Sequence, residues 1–419
     1  MLLRFEAANH RSINGPVELS MIAVDEDRSA TRGFDRLSER VLTVAGIYGP
    51  NASGKTNVLG ALAWLSGAVG ASLRAWDRNI PREPFRFGSG PSSSSVYQVE
   101  MMIGGVRYSY HVELDDSAVR YEVLYSYPER RRRVLFEREG LEFTLRRGLG
   151  ALSGVRELLT PRTLALSAAI RFDDPEVAAF GRHLAEIQTI GRGLAHKSIM
   201  SFFVGDIFNK SVSSISWGQG EGQSISGIEL LKEREAALAL LRFADLGIHD
   251  VRVFEDENRI PPNVIQLAHR TGQQQILFEL QDESAGTLTW LSLIEPVLYV
   301  LRSGQILLLD EIDASLHPAL SARLLQLFQD PETNPRGAQL IFTTHDTSLL
   351  SHLNRDEVWL TEKDDDGATS LTALAEYGGD KVRRSLNLER AYLHGRFGAV
   401  PELDQIKLRS ALGLASGDD

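Results

Sequence analysis

The sequence predicts an α/β fold built on a phosphate-binding loop, with a mixed sheet, an antiparallel β subdomain and a compact helical insertion. Three observations predict it. The run Gly49-Pro50-Asn51-Ala52-Ser53-Gly54-Lys55-Thr56 matches the pattern G-x-x-x-x-G-K-[ST] in full. It lies between the apolar run Val41 to Tyr48 and the helix-compatible run Asn57 to Leu65, the strand–loop–helix setting such a loop needs. Far downstream, Ile306-Leu307-Leu308-Leu309 is a continuous apolar run closed by Asp310-Glu311. Such a run fits a central parallel strand covered on both faces. Its C-terminal end is where open α/β sheets hold ligands. Between the two lies Val96 to Leu114, a strand-like alternation broken at Gly104-Gly105, a hairpin turn signal.

The loop's residue types follow from phosphate chemistry. Its glycines let backbone N–H groups curl around an anion with no Cβ in the way. The helix that starts near Gly54 aims its positive end at the same anion. Lys55 neutralises β/γ-phosphate charge, and Thr56 offers a hydroxyl to Mg²⁺. The candidate nucleotide-contacting residues are Gly49, Asn51, Ala52, Ser53, Gly54, Lys55, Thr56 and Asn57.

Composition sets bounds. The chain has 419 residues, 43% hydrophobic and 24% charged, which suits a sizeable core in one large domain or two. It has no cysteine, so disulfides and thiolate metal sites are excluded and a reducing, cytoplasmic setting is expected. Met1 to Glu6 shows no secretory signal pattern. No uninterrupted apolar run reaches the length of a membrane span: Val58 to Ala71 is short, and Leu288 to Leu301 is broken by Glu295-Pro296. The net charge of −11 argues against a wholly electrostatic nucleic-acid binder, so any DNA or RNA contact must be local.

In chain order, residues 2–22 read as a hairpin, with Leu3, Phe5 and Ala7 alternating before Asn9 to Ser12 and Val17 and Leu19 after it. Residues 23–40 read as a loop, and so do residues 81–95, with their Ser-rich run. Strands follow from Val96 to about residue 144. Arg130-Arg131-Arg132-Arg133 sits among them, and the sequence favours a solvated hairpin tip over a nucleic-acid contact. Residues 150–246 read as helical, with a mobile loop over 211–227 and no sustained heptad. Residues 250–283 return to strands. The domain reading is therefore 1–149 and 250–376 as two lobes of one head, 150–249 as a helical insertion and 377–419 as a helical tail.

The acid pair completes the chemistry. Asp310 would hold the Mg²⁺ shell, and Glu311 would polarise an attacking water as general base. Ser284-Ala285-Gly286-Thr287 opens a helix carrying Leu288, Leu291, Ile294 and Leu298, where a serine is ordinarily a cap. Gln339 to Thr343 reads as another buried strand, ending in Thr344-His345-Asp346.

With these elements assembled, the chain resembles the ABC-type phosphate-loop ATPases of the SMC and recombination-repair class. It is most similar to prokaryotic RloA-like, AriA-like and OLD-family ATP-binding proteins. The residues that carry the resemblance are Phe5 to Ser12, Gly49 to Asn57, Asp282 to Thr287, Leu307 to Pro318, Thr343 to Asp346 and the tail Asn387 to Pro401. It implies ATP and Mg²⁺ as ligands and a homodimer or larger homo-oligomer that sandwiches two nucleotides. It also implies a separate nuclease or effector partner in phage defence or DNA transactions. On this pattern Ser284 and Gly286 would grip the γ-phosphate held by a second copy, His345 would be the switch histidine, and Arg11 and Ser12 would touch nucleotide. Two positions depart from it: Thr287 replaces the second signature glycine, and His317 stands where many members carry an aspartate. Gln98 is a weak candidate for the Q-loop glutamine. The alternatives are the nucleotide-binding subunit of a membrane transporter, which the long stretch between Lys55 and Asp310 argues against, a self-contained nuclease, for which too little chain follows His345, and a slow-turnover ATP-dependent scaffold.

Overall fold

A computed structural model describes residues 1–25, 28–191, 194, 227–244, 247–255, 263–314, 316–377 and 388–397. The mobile loop expected over 211–227, apart from Gly227, and most of the expected tail lie outside these residues.

The apolar run before the phosphate loop divides at Thr43. Val41–Leu42 pairs with Thr31–Arg32, inside the segment expected to be loop, and Val44–Tyr48 enters a six-stranded sheet. Across that sheet the order is Gln188–Ile190, Ile306–Leu309, Gln339–Thr343, Val44–Tyr48, Val358–Lys363, Thr369–Ala373. All pairings are parallel except the last, a hairpin around Gly367. The acid-pair strand Ile306–Leu309, Gln339–Thr343 and Val44–Tyr48 are buried throughout because the sheet is covered on both faces there, and the edge strand Gln188–Ile190 is half-buried. Alternate residues feed two cores. Ala45, Ile47, Ile306, Leu308 and Ile341 pack toward the helix Lys55–Ala75. Val44, Leu307, Leu309, Leu340 and Phe342 pack toward the helices Ala285–Ser303 and Pro318–Gln329.

Lys55–Ala75 is the one described helix long and apolar enough to cross a membrane, and most of it is buried inside the fold. Its other side meets a seven-stranded antiparallel sheet, ordered Glu142–Leu145, Arg133–Glu139, Val119–Tyr127, Val106–Leu114, Ser95–Ile103, Leu2–Ala8, Val17–Ser20. The N-terminal hairpin is therefore no separate unit: Phe5 lies opposite both Leu19 and Val99. The buried Gln339 side chain clamps the two sheets. It accepts from Leu2 N at 2.5 Å and donates to Leu2 O and Leu42 O at 2.9 Å each.

The insertion is less helical than the sequence suggests. Val155–Leu158, Ala165–Ala169 and Val177–Ala185 are short helices, and Gly227–Ala244 is a longer one. Between them Gln188–Ile190 is a strand, docked on Ile306–Leu309 as the outermost parallel partner. Three residues are too few for any period to show. The strands Ile248–Glu255, Asn263–Thr271 and Gln274–Glu279 form a small antiparallel sheet that leads to Ser284.

A buried ion pair pins the insertion to the large sheet. Glu122 and Arg138 are wholly buried, 3.6 Å apart. Glu122 accepts from Ala165 N (2.7 Å), Leu166 N (2.9 Å) and the Tyr110 hydroxyl (2.9 Å). Arg138 donates to Gly140 O at 2.6 Å, to Thr160 O at 2.7 Å and to Thr163 O. Burial pushes the Glu122 pKa up, and the guanidinium opposes that shift. Removing one partner leaves the other charge buried and alone. Arg138→Met should cost about 3–5 kcal/mol in urea unfolding, and adding Glu122→Gln should recover part of it. A loss below about 1 kcal/mol for the single variant would contradict this role.

Candidate nucleotide site

The loop between Tyr48 and Lys55 turns where only glycine fits. Gly49 has φ 150° and Gly54 has φ 106°. A Cβ on Gly49 would lie 2.4 Å from Thr361 Oγ1, and one on Gly54 would lie 2.1 Å from Thr369 Oγ1. Both threonines come from strands far along the chain and hold the loop from beneath. Thr361 shares a 2.6 Å hydrogen bond with Ser53 Oγ, and Thr369 donates to Ser53 O at 2.8 Å. Asn51 and Ala52 face solvent.

Lys55 is nearly buried, and its Nζ donates to Gly49 O (2.9 Å) and Pro50 O (3.0 Å), inside the curl of its own loop. Burial lowers its pKa from 10.5 to about 8, against the opposing pull of Asp313, Asp310 and Glu311. The ammonium thus stands on weak acceptors with carboxylates near, where a phosphate would be a far stronger partner.

Four polar groups then form one chain. The Thr56 hydroxyl donates to Asp310 Oδ1 at 2.9 Å, and the Thr343 hydroxyl donates to the same oxygen at 2.7 Å. Glu311 N donates to Thr343 Oγ1 at 2.7 Å. Asp310 N donates to Ile190 O at 2.8 Å. Gly191 lies so close that a Cβ there would come within 2.4 Å of Asp310 Cβ. Asp310 is buried, whereas Glu311 is exposed and held at φ 55°, a left-handed conformation unusual for glutamate. The hydroxyl and carboxylate of Thr56 and Asp310 are the hard oxygen donors Mg²⁺ takes, with room left for phosphate oxygens and water. Among the described residues no group of three His, Asp or Glu side chains forms a metal cage, so any such ion here depends on a ligand's oxygens as well.

His345 is exposed at the end of Gln339–Thr343. Asp313, which sequence reasoning passed over, organises its loop: its carboxylate accepts from the Thr344 hydroxyl at 2.7 Å and from His345 N at 3.3 Å. Burial and the nearby Lys55 lower the His345 pKa, against the pull of Asp313, Glu311 and Asp310, which favours the neutral ring.

Other sequence candidates are placed differently. Ser12 lies under the loop: its hydroxyl shares a 2.7 Å hydrogen bond with Thr369 Oγ1 and accepts from Asn57 Nδ2 at 2.6 Å. Both Ser12 and Asn57 therefore brace the loop. Arg11 makes a two-pronged pair with Glu83 (2.9 and 3.0 Å) and lies over Gly60, beyond the first turn of the helix. Ser284 caps its helix, accepting from Thr287 N at 3.1 Å, and is exposed. Among the described residues no hydrogen bond links Ser284, Gly286 or Thr287 to this chain's own phosphate loop. His317 caps Pro318–Gln329 through Ala319 N. Gln98 is mid-strand in the seven-stranded sheet, opposite Glu6 and His111. The strand beside the acid pair is Gln188–Ile190 instead, a signal too short for the sequence to reveal.

Residues 44–351 match the family described as "AAA domain, putative AbiEii toxin, Type IV TA system", and the chain belongs to that family. It is accordingly a phosphate-loop protein of an ATPase family. Among solved structures, one that is similar is a crystal structure of an SMC head bound to the C-winged helix domain of ScpA. It is 15% identical, with a TM-score of 0.45, and the match covers 89% of this chain and 97% of that one. No curated protein matches.

The Lys55 geometry makes ligand binding pH-dependent. A phosphate bound to the ammonium raises its pKa above the free value of about 8. Between the two values, binding takes up a proton. ATP affinity should be level below pH ~8 and fall toward tenfold per unit above it. Calorimetry in two buffers of different ionisation enthalpy reads the uptake directly. Unchanged affinity and no uptake at pH 9 would contradict this state of Lys55.

Proposed function

We propose that the chain is an ABC-type ATPase that binds ATP with Mg²⁺, closes as a homodimer around two nucleotides, and hydrolyses them. The observation that carries the reading is the hydrogen-bonded run Thr56–Asp310–Thr343–Glu311, which couples the phosphate loop to an acid at the sheet's C-terminal edge.

The roles follow from position. Loop N–H groups and the start of Lys55–Ala75 receive the phosphates, while Lys55 leaves the Gly49 and Pro50 carbonyls for them. Thr56 and Asp310 would hold Mg²⁺, which would supply positive charge against the phosphates. Glu311 is exposed beside this point and takes the proton of an attacking water. Neutral His345 donates a hydrogen bond toward the γ-phosphate. Ser284 and Gly286, at a helix start where Ser284 is exposed and where no hydrogen bond among the described residues reaches their own phosphate loop, serve the partner's nucleotide.

Beyond turnover, the proposed setting is cytoplasmic defence against phage or a DNA transaction, with a separate nuclease or effector. The toxin–antitoxin wording of the family and the resemblance to RloA-like, AriA-like and OLD-family proteins support it. The head carries a seven-stranded sheet and a helical insertion between its two halves, and that supports readout by a partner over transport.

Glu311→Gln removes the base and leaves the phosphate and metal ligands in place. ATP with Mg²⁺ should double the mass of this variant by light scattering, and turnover should fall about 100-fold or more. A mass that ATP leaves unchanged would sink the sandwich.

A further inference from the structure

The Arg130–Arg133 tip has company that the sequence does not show. Arg36, from a distant loop, donates to Pro128 O at 2.9 Å and so stands beside the tip. All five arginines are exposed, and among the described residues none of them forms an ion pair. In a chain of net charge −11 this is a concentrated, uncompensated positive surface, with Glu129 and Asp35 as its nearest acids in sequence.

The strand that feeds the tip carries aromatic rings on its solvent side. Tyr121, Tyr125 and Tyr127 are half-buried, and their register partners Glu113, Ser109 and Arg107 share that face. The opposite face carries Tyr110 and Leu124 into the core. Arg132 lies over the Tyr125 ring at 4.9 Å, and Arg107 lies over Tyr127 at 5.0 Å. Arg107 is also paired with Glu100 at 2.8 Å, and the Tyr121 hydroxyl donates to Glu137 at 2.6 Å. Glu100 limits the ladder at its side, Glu113, Glu137 and Glu139 limit it at the far end around Tyr121, and Tyr125, Tyr127 and the tip form its open part.

We infer that this face is a docking site for single-stranded nucleic acid. Two ring-and-guanidinium stacks in succession offer flat surfaces to unstacked bases. The guanidinium groups of Arg36, Arg130, Arg131 and Arg133 beside them meet the phosphates of the same strand. A duplex hides its base faces and leaves the tyrosines without a role. An acidic peptide would use the charges and ignore the rings. The site shares no residue with the nucleotide site and does not depend on ATP binding.

Fluorescence anisotropy with the full chain tests it, using labelled twenty-nucleotide oligo(dT), oligo(U) and a twenty-base-pair duplex at several salt concentrations. The single strands should bind more tightly than the duplex. Replacing Arg130, Arg131, Arg132 and Arg133 together by serine should lower the salt slope by about 3. Tyr125→Leu with Tyr127→Leu should weaken single-strand binding about tenfold or more and leave the salt slope in place. ATP turnover, unchanged in both variants, reports that they fold. Equal affinity for duplex with neutral tyrosine variants would overturn the site, as would no binding of any oligonucleotide at 50 mM salt.

Discussion

Three distant segments of the chain meet at Asp310. Thr56 reaches it from the helix after the phosphate loop, and Thr343 reaches it from the next strand. The backbone at Ile190 takes its N–H, and Gly191 leaves no space for a side chain. One oxygen accepts both hydroxyls, so Thr56 and Thr343 are fixed relative to each other. Glu311 takes its position from Thr343 in turn. A cation held between Thr56 and Asp310, as proposed, would compete for these bonds, and Thr343 would be the link that carries the change to the backbone of the exposed acid.

The loop itself is braced from outside its own segment. Thr361, Thr369 and Ser12 fill the space beneath Gly49, Ser53 and Gly54, and Gln339 ties the parallel sheet to the first strand of the chain. The left-handed conformation of Ala52, φ 64°, between the two glycines persists because these contacts over-determine the loop. The burial of Lys55 follows from the same packing, and with it an ammonium poised to exchange carbonyls for phosphate.

What was legible in the sequence is what local pattern encodes. The glycine-lysine loop, the four-residue apolar strand before Asp310 and the hairpin at Gly104-Gly105 each carry their own signal, and each forms as read. Partners across the chain were not legible. Nothing near Gly54 announces Thr369, and nothing in Glu122 announces Arg138 or the helix start at Ala165 that it caps. Gln188–Ile190 is three residues long, so the strand beside the acid pair was hidden inside a helical reading. Asp313 was passed over because its work is done on backbone and hydroxyl groups more than thirty residues away.

Among the described residues no hydrogen bond joins Ser284 to its own chain's phosphate loop, and the proposed function has two copies supplying halves of one site. Mixing two inactive chains tests this directly. Lys55→Ala lacks a working loop, and Ser284→Arg blocks the helix start. Each alone should lack ATP turnover, and the mixture should regain it, because a mixed dimer holds one site with an intact loop and an intact Ser284. A Ser284→Arg chain that turns over ATP normally by itself, or a mixture as inactive as its parts, would contradict the composite site.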